Sequence, residues 1–158
     1  MAFMLWGQRL AYGMVGLQTF NWFKLIKSRD KLKSVLKNIN SIALIGASAN
    51  FDRDSFKVME YLISNGYTVF PVNPNFQNKK ILGRKCFSSL KDIKEKIDMV
   101  DIFRDKKFVM DITIDAVELG VKVIWTQEGI IDERSAKIAE NAGIIFIMDE
   151  CPMKVLKN

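Results

Sequence analysis

Five short apolar runs, separated by segments of helical periodicity, set the strongest limit on how this 158-residue chain can fold. The runs cover residues 42–45, 67–72, 99–103, 121–125 and 144–148. Ile42-Ala43-Leu44-Ile45 has the length and residue types of a strand buried on both faces, and the other four follow its pattern. Segments 30–40, 55–65, 108–119 and 132–141 carry apolar residues at helical spacing instead, as Phe56, Val58, Met59, Leu62 and Ile63 do in the second of them. Asn65-Gly66, Gly120 and Gly143 stand where three of these helices should stop. Residues 75–80 read as a polar turn, and 89–94 as a short helical piece. Strands alternating with helices predict an α/β, Rossmann-like doubly wound domain over residues 29–158, with a mainly parallel five-stranded sheet and helices on both faces. No internal repeat or linker divides it.

In such a sheet the ligand lies at the C-terminal ends of the strands, near the point where strand order reverses. Five segments converge there: Gly46-Ala47-Ser48, Asn73-Pro74, Phe103-Arg104, Thr126-Gln127-Glu128-Gly129 and Asp149-Glu150-Cys151-Pro152. The first is a glycine turn between a buried strand and a helix that starts near Asp54, a place where unpaired backbone amides and the helix dipole favour an anion. A dinucleotide fingerprint would need G-x-G-x-x-G and an acid about twenty residues on. The chain has one glycine in Gly46-Ala47-Ser48-Ala49-Asn50-Phe51, and Pro71-Val72-Asn73-Pro74 where the ribose acid belongs, which disfavours NAD. A G-x-x-x-x-G-K-[ST] phosphate loop is absent as well.

The chain contains no histidine, which removes His-dependent triads, His metal sites and the usual neutral-pH proton shuttle. Cys86 and Cys151 make neither a metal-spaced cluster nor a disulfide framework, so a reduced, cytoplasmic setting is the simplest expectation. Asp101, Glu128, Asp132, Asp149 and Glu150 supply carboxylates, but no pair is marked by its spacing, so no catalytic residue is assigned. The net charge of +6 is misleading. Residues 1–40 hold seven basic side chains and one acid, while the rest of the chain holds 17 of each, so the globular part offers no basic nucleic-acid surface.

The ordered set IALIGAS, Asp52-Arg53-x-Ser55-Phe56-Lys57-Val58-Met59, GYTVFPVNP, ILGRKCF-SSL, DMVDIFR, VIWTQEGI and MDECP resembles the small stand-alone CoA-binding protein family. The fold of that family is shared with the CoA-binding domain of the succinyl-CoA synthetase α subunit. The resemblance covers roughly residues 29–154 and rests on seven segments in order. It implies a domain that holds coenzyme A, or an acyl-CoA, along the strand ends, with no reaction assigned. It also implies that Gly46, Ala47 and Ser48 meet the pyrophosphate through backbone amides and the serine hydroxyl, with Arg53 adding charge. Asn73 and Pro74 would wall the adenosine part, and Arg104, Gln127 and Gly129 would line the other side of the groove. Cys151, at the groove edge, reads either as a packed thiol or as a partner for a mixed disulfide with the CoA thiol. The family often has Arg-Pro-Ser-Tyr where this chain has Arg53-Asp54-Ser55-Phe56, and Asp54 sets a negative charge beside the expected phosphates.

Blander roles compete for the same residues. The glycine turn can be purely structural, Arg53 can pair with Asp52 or Asp54, Arg104 can pair with Asp101 or Asp105, and Trp125 suits a packed strand. A small CoA- or nucleotide-dependent enzyme, and a protein-interaction or self-associating subunit that no longer binds ligand, also stay open. Residues 1–28 form a basic extension with Phe3, Trp6, Tyr12, Phe20, Trp22 and Phe23 and no acid. Gln8-Arg9 and Gln18 interrupt its apolar character, which argues against a spanning helix. Mitochondrial or other organelle targeting, contact with a membrane surface, and a disordered or partner-packed tail are the readings left.

Overall fold

A computed structural model describes residues 28–158. Residues 1–27, with their targeting and membrane-surface readings, lie outside that range. The elements in order are α1 (Arg29–Lys37), β1 (Ser41–Ile45), α2 (Asp54–Ser64), β2 (Thr68–Val72), β3 (Lys80–Ile81), β4 (Arg84–Lys85), β5 (Met99–Ile102), α3 (Lys106–Leu119), β6 (Val123–Thr126), α4 (Glu133–Asn141), β7 (Ile145–Ile147) and α5 (Pro152–Lys157). Single turns of 3₁₀ helix occupy Pro74–Phe76 and Leu90–Asp92. No helix among the described residues is long and apolar enough to cross a membrane.

The main sheet runs β2-β1-β5-β6-β7 and is parallel throughout. Alternation along each strand sends its side chains to two separate cores. Ile42, Leu44, Met99, Val123 and Trp125 face one side, where Leu32 and Leu36 of α1, Met59 and Leu62 of α2 and Val155 of α5 cover them. Ala43, Ile45, Val100, Ile102 and Ile124 face the other, under Val109 and Ala116 of α3 and Ala136 and Ala139 of α4. The doubly wound architecture read from the sequence is therefore the architecture of the molecule. The direction of winding changes between β1 and β5, the two neighbours that are not consecutive in the chain, and a crevice opens there.

Two elements differ from the sequence reading. Residues 80–85 form a small antiparallel hairpin, and Phe87 then bridges to Val72 and packs edge-on against Phe70 at 6.2 Å. The hairpin is two residues per strand, too short for a period-two pattern to register. After Cys151 the chain turns into α5, with Pro152 at its first position, where the missing N–H costs nothing. That helix is only six residues long, but it brings Lys154 and Met153 to the crevice.

At the opposite end of the sheet, Asp98 ties the N-terminal ends of β1 and β5 together. Its carboxylate accepts from the amides of Asn40 at 2.8 Å and Ser41 at 3.3 Å and pairs with Lys122 at 3.3 Å. Burial alone would raise its pKa, but the two amides and the lysine outweigh burial and hold it below the ordinary carboxylate value.

Candidate functional site

The turn after β1 starts with Gly46 at φ +89°, in the left-handed region. A Cβ there would lie 2.6 Å from the Phe103 carbonyl oxygen and 3.0 Å from its carbonyl carbon. The glycine therefore lets the chain leaving β5 lie directly on the turn leaving β1, which closes the base of the crevice. The amides of Gly46 and Ala47 both donate to the Val72 carbonyl, at 2.9 and 3.2 Å. These two amides, expected from the resemblance to meet a pyrophosphate, thus already have an acceptor at the end of β2. Anion-binding capacity moves a few residues on. Among the described residues, the amides of Ser48, Ala49, Asp54 and Ser55 donate to no protein acceptor. The last two belong to the open first turn of α2.

Asn73 is committed to the framework. Its Nδ2 donates to the Ala47 carbonyl at 2.8 Å, and its Oδ1 accepts from the Asn75 amide at 2.9 Å. It clamps the β1 turn to the β2 turn and still lines the crevice. Pro74, the first residue of the following 3₁₀ turn, is exposed and lines neither half of the groove described next.

The crevice has two adjoining halves that share Asp54, Phe103 and Arg104. The first, about 390 Å³, runs between the β1 turn and the start of α2 and is lined by Ser48, Arg53, Ser55 and Asn73. The second, about 490 Å³, runs on past β6 to α5 and brings together Lys57, Gln127, Gly129, Cys151 and Lys154. Each lies within the range of about 300–1,000 Å³ that ligand sites occupy. Nine of the ten residues singled out from the sequence thus border one continuous groove, and Pro74 alone falls outside it.

The cations divide by role. Arg53 is exposed, precedes α2 and has no ion pair with Asp52 or Asp54. Arg104 pairs with neither Asp101 nor Asp105; its guanidinium stacks on the Phe108 ring at 4.2 Å. Its charge is therefore not neutralised by a carboxylate. Lys154 is engaged, with Nζ at 2.8 and 2.7 Å from the two carboxylate oxygens of Glu128 across the groove rim.

The Gln127–Ile130 turn is held from three sides. The Ile130 amide donates to the Gln127 carbonyl, the Thr126 hydroxyl to the Ile130 carbonyl at 2.7 Å, and the Gly129 amide to Asp149 Oδ1 at 2.7 Å. Gly129 is at φ +83°, the conformation that favours glycine as the third residue of such a turn. Trp125 is fully buried and donates from its indole N–H to the Glu150 carbonyl, a packed strand residue.

Asp101 is the residue whose role the sequence reading missed. It lies in the middle of β5, opposite Leu44 and Trp125, and is completely buried. Gln127 Nε2 donates to its Oδ1 at 2.7 Å, while Oδ2 has no partner. Burial pushes this carboxyl up to about 7, with the Gln127 hydrogen bond pulling slightly the other way. The signal was present in the sequence, an acid inside the otherwise apolar run Met99-Val100-Asp101-Ile102. Cys151 is buried as well, and burial pushes its thiol above the ordinary value. A mixed disulfide would require that thiol to become exposed first.

A parallel sheet with a cation-bearing groove at its switch point defines an α/β ligand-binding domain of the Rossmann-like class. Residues 40–157 match the CoA binding domain family, and the chain belongs to that family. The Bacillus subtilis protein YneT is 33% identical over 124 residues, which is 78% of this chain and 90% of that protein. A protein of Pyrococcus horikoshii superposes with a TM-score of 0.78 at 37% identity, over 82% of this chain and 90% of its own. A Thermus thermophilus protein superposes with the same TM-score at 34% identity, over 82% and 97%. An ADP-forming acetate–CoA ligase of Archaeoglobus fulgidus is 36% identical over 84 residues, a stretch that is 52% of this chain and only 12% of the ligase.

Proposed function

We propose that this protein binds coenzyme A or an acyl-CoA in the groove at the strand ends, as a binding module rather than as an enzyme. The observation that carries the reading is the division of that groove. One half has open amides and Arg53 beside the β1 turn, suited to phosphates. The other combines the apolar side chains of Val58, Phe103, Ile130, Cys151 and Met153 with a charged rim of Lys57, Asp105, Lys106, Glu128 and Lys154, suited to an arm that alternates methylenes with polar groups. Membership of the CoA binding domain family and similarity to part of an acetate–CoA ligase support the same ligand. Asp54, which lines both halves, is the one carboxylate bordering the half suited to phosphates, and it lowers affinity rather than forbidding binding; Asp105 and Glu128 border the second half, where Glu128 is paired with Lys154.

Calorimetric titration of the full chain with coenzyme A tests the reading. Saturable binding is expected, weakened by added salt because phosphate contacts carry much of it. Folded protein that takes up no coenzyme A at millimolar concentration would sink it. Turnover of an acyl-CoA by the purified protein would replace the module with an enzyme.

A further inference from the structure

Gln127 joins the buried interior to the groove. Its Nε2 donates inward to Asp101 Oδ1 at 2.7 Å, while the residue itself lines the second half of the groove. Asp101 Oδ1 accepts whether the acid is ionised or carries its proton on the unpartnered Oδ2, so the bond commits the amide nitrogen of Gln127 to the interior. The planar amide then turns Oε1 away from Asp101. Oε1 receives no hydrogen bond from any described residue, yet it is not among the atoms sealed from solvent, whereas Asp101 Oδ2 is. The groove is thus offered an acceptor of fixed orientation, in a half whose lining includes Val58, Phe103, Ile130, Cys151 and Met153 alongside charged residues at its rim. Phosphates, which are acceptors themselves, gain nothing from it. A chain of methylenes interrupted by secondary amides fits it, because each amide brings one N–H and the intervening carbons suit the apolar wall.

We propose that Gln127 reads an amide N–H of the pantetheine arm, and that Asp101 is a positioning residue that holds Gln127 in the accepting orientation. This rests on the coenzyme A reading and adds to it the group that tells the amide-bearing arm from the nucleotide. Asp101 touches no ligand and acts only through Gln127.

The test compares coenzyme A with ADP, which carries the diphosphate but neither the 3′-phosphate nor the amide arm, by titration of the full chain, each ligand being read as the ratio of variant to wild-type affinity. Gln127→Met and Asp101→Leu should each weaken coenzyme A about tenfold, the worth of one well-aligned hydrogen bond, and leave ADP within about twofold. The double variant should be no weaker than either single one, since the two residues act as a unit. Should Gln127→Met fail to fold, Gln127→Asn keeps the amide but withdraws it from Asp101 by one methylene, and the same contrast applies. A parallel fall for both ligands would reduce the pair to a structural role and overturn the proposal, as would unchanged coenzyme A affinity. If the wild-type protein binds ADP but not coenzyme A, the fault lies with the coenzyme A reading itself, and the proposal falls with it.

Discussion

Replacing Asp101 by asparagine should remove most of the pH dependence of folding between pH 5 and 8. In the unfolded chain this carboxyl ionises at its ordinary 3.8, and in the fold burial moves it to about 7. Between those values the unfolded state has released the proton and the folded state has kept it, so stability falls as pH rises. Across that interval, at roughly 1.36 kcal/mol per pH unit, the penalty reaches about 4 kcal/mol, and about 3 kcal/mol of it develops between pH 5 and 8. The window is unusually clear, because the chain has no histidine. Glu140, also raised by burial, is common to both proteins and cancels in the comparison. The carboxamide of the Asp101→Asn variant keeps the shape and can still accept from Gln127, but it cannot ionise. Urea unfolding followed by circular dichroism, at several pH values, gives the two stability curves. The variant's stability advantage over the wild type should grow by about 3 kcal/mol between pH 5 and pH 8. A wild-type curve flat across this range, or a variant with the same slope, would refute the assignment of a buried, unpaired carboxyl.

Other contacts give outcomes of their own. Gly46→Ala should cost at least about 2 kcal/mol in urea unfolding, since the new methyl meets the Phe103 carbonyl. Gly143→Ala, also at positive φ but with no neighbour within 4 Å, should cost only about 1 kcal/mol, and equal losses would count against the close approach. Asp98→Asn should lose about 2 kcal/mol at neutral pH by weakening the tie between β1 and β5. In the wild type that contribution is present above pH 3.8 and disappears as pH falls through the lower folded value, so acid unfolding of the variant should show less of this step. Arg53→Ala should weaken coenzyme A about tenfold and flatten the salt dependence; unchanged affinity would remove Arg53 from the site. Both thiols should react with a disulfide reagent slowly in the native protein and quickly in urea, because Cys86 and Cys151 are buried. Fast native reaction at Cys151 would reopen the mixed-disulfide reading.

The sheet was readable because its signals are local. A strand such as Ile42-Ala43-Leu44-Ile45, buried on both faces, must be apolar throughout, and a helix such as α2 must repeat its apolar residues along one stripe. The hairpin at residues 80–85 and the six-residue α5 were not readable, since neither is long enough to show a period. The site was readable as a set of segments. Its individual duties were not, because they depend on atoms far apart in the chain. Gly46 could be recognised as a turn residue, yet what lies against it is Phe103, and its amide is taken by Val72.

By itself the sequence determined the alternation of strands and helices, the convergence of Gly46-Ala47-Ser48, Arg104 and Gln127 at one edge of the sheet, and the family resemblance that those segments carry. Such features follow from backbone periodicity and chain order, which a linear pattern records in full. Only the tertiary structure decided which polar groups are already satisfied. It withdrew the Gly46 and Ala47 amides, left Arg53 without a carboxylate partner among the described residues and stacked Arg104 on Phe108. It also buried Asp101 beneath Gln127 with one oxygen unpartnered. Hydrogen-bond saturation and desolvation depend on three-dimensional neighbours, and no spacing along the chain encodes them.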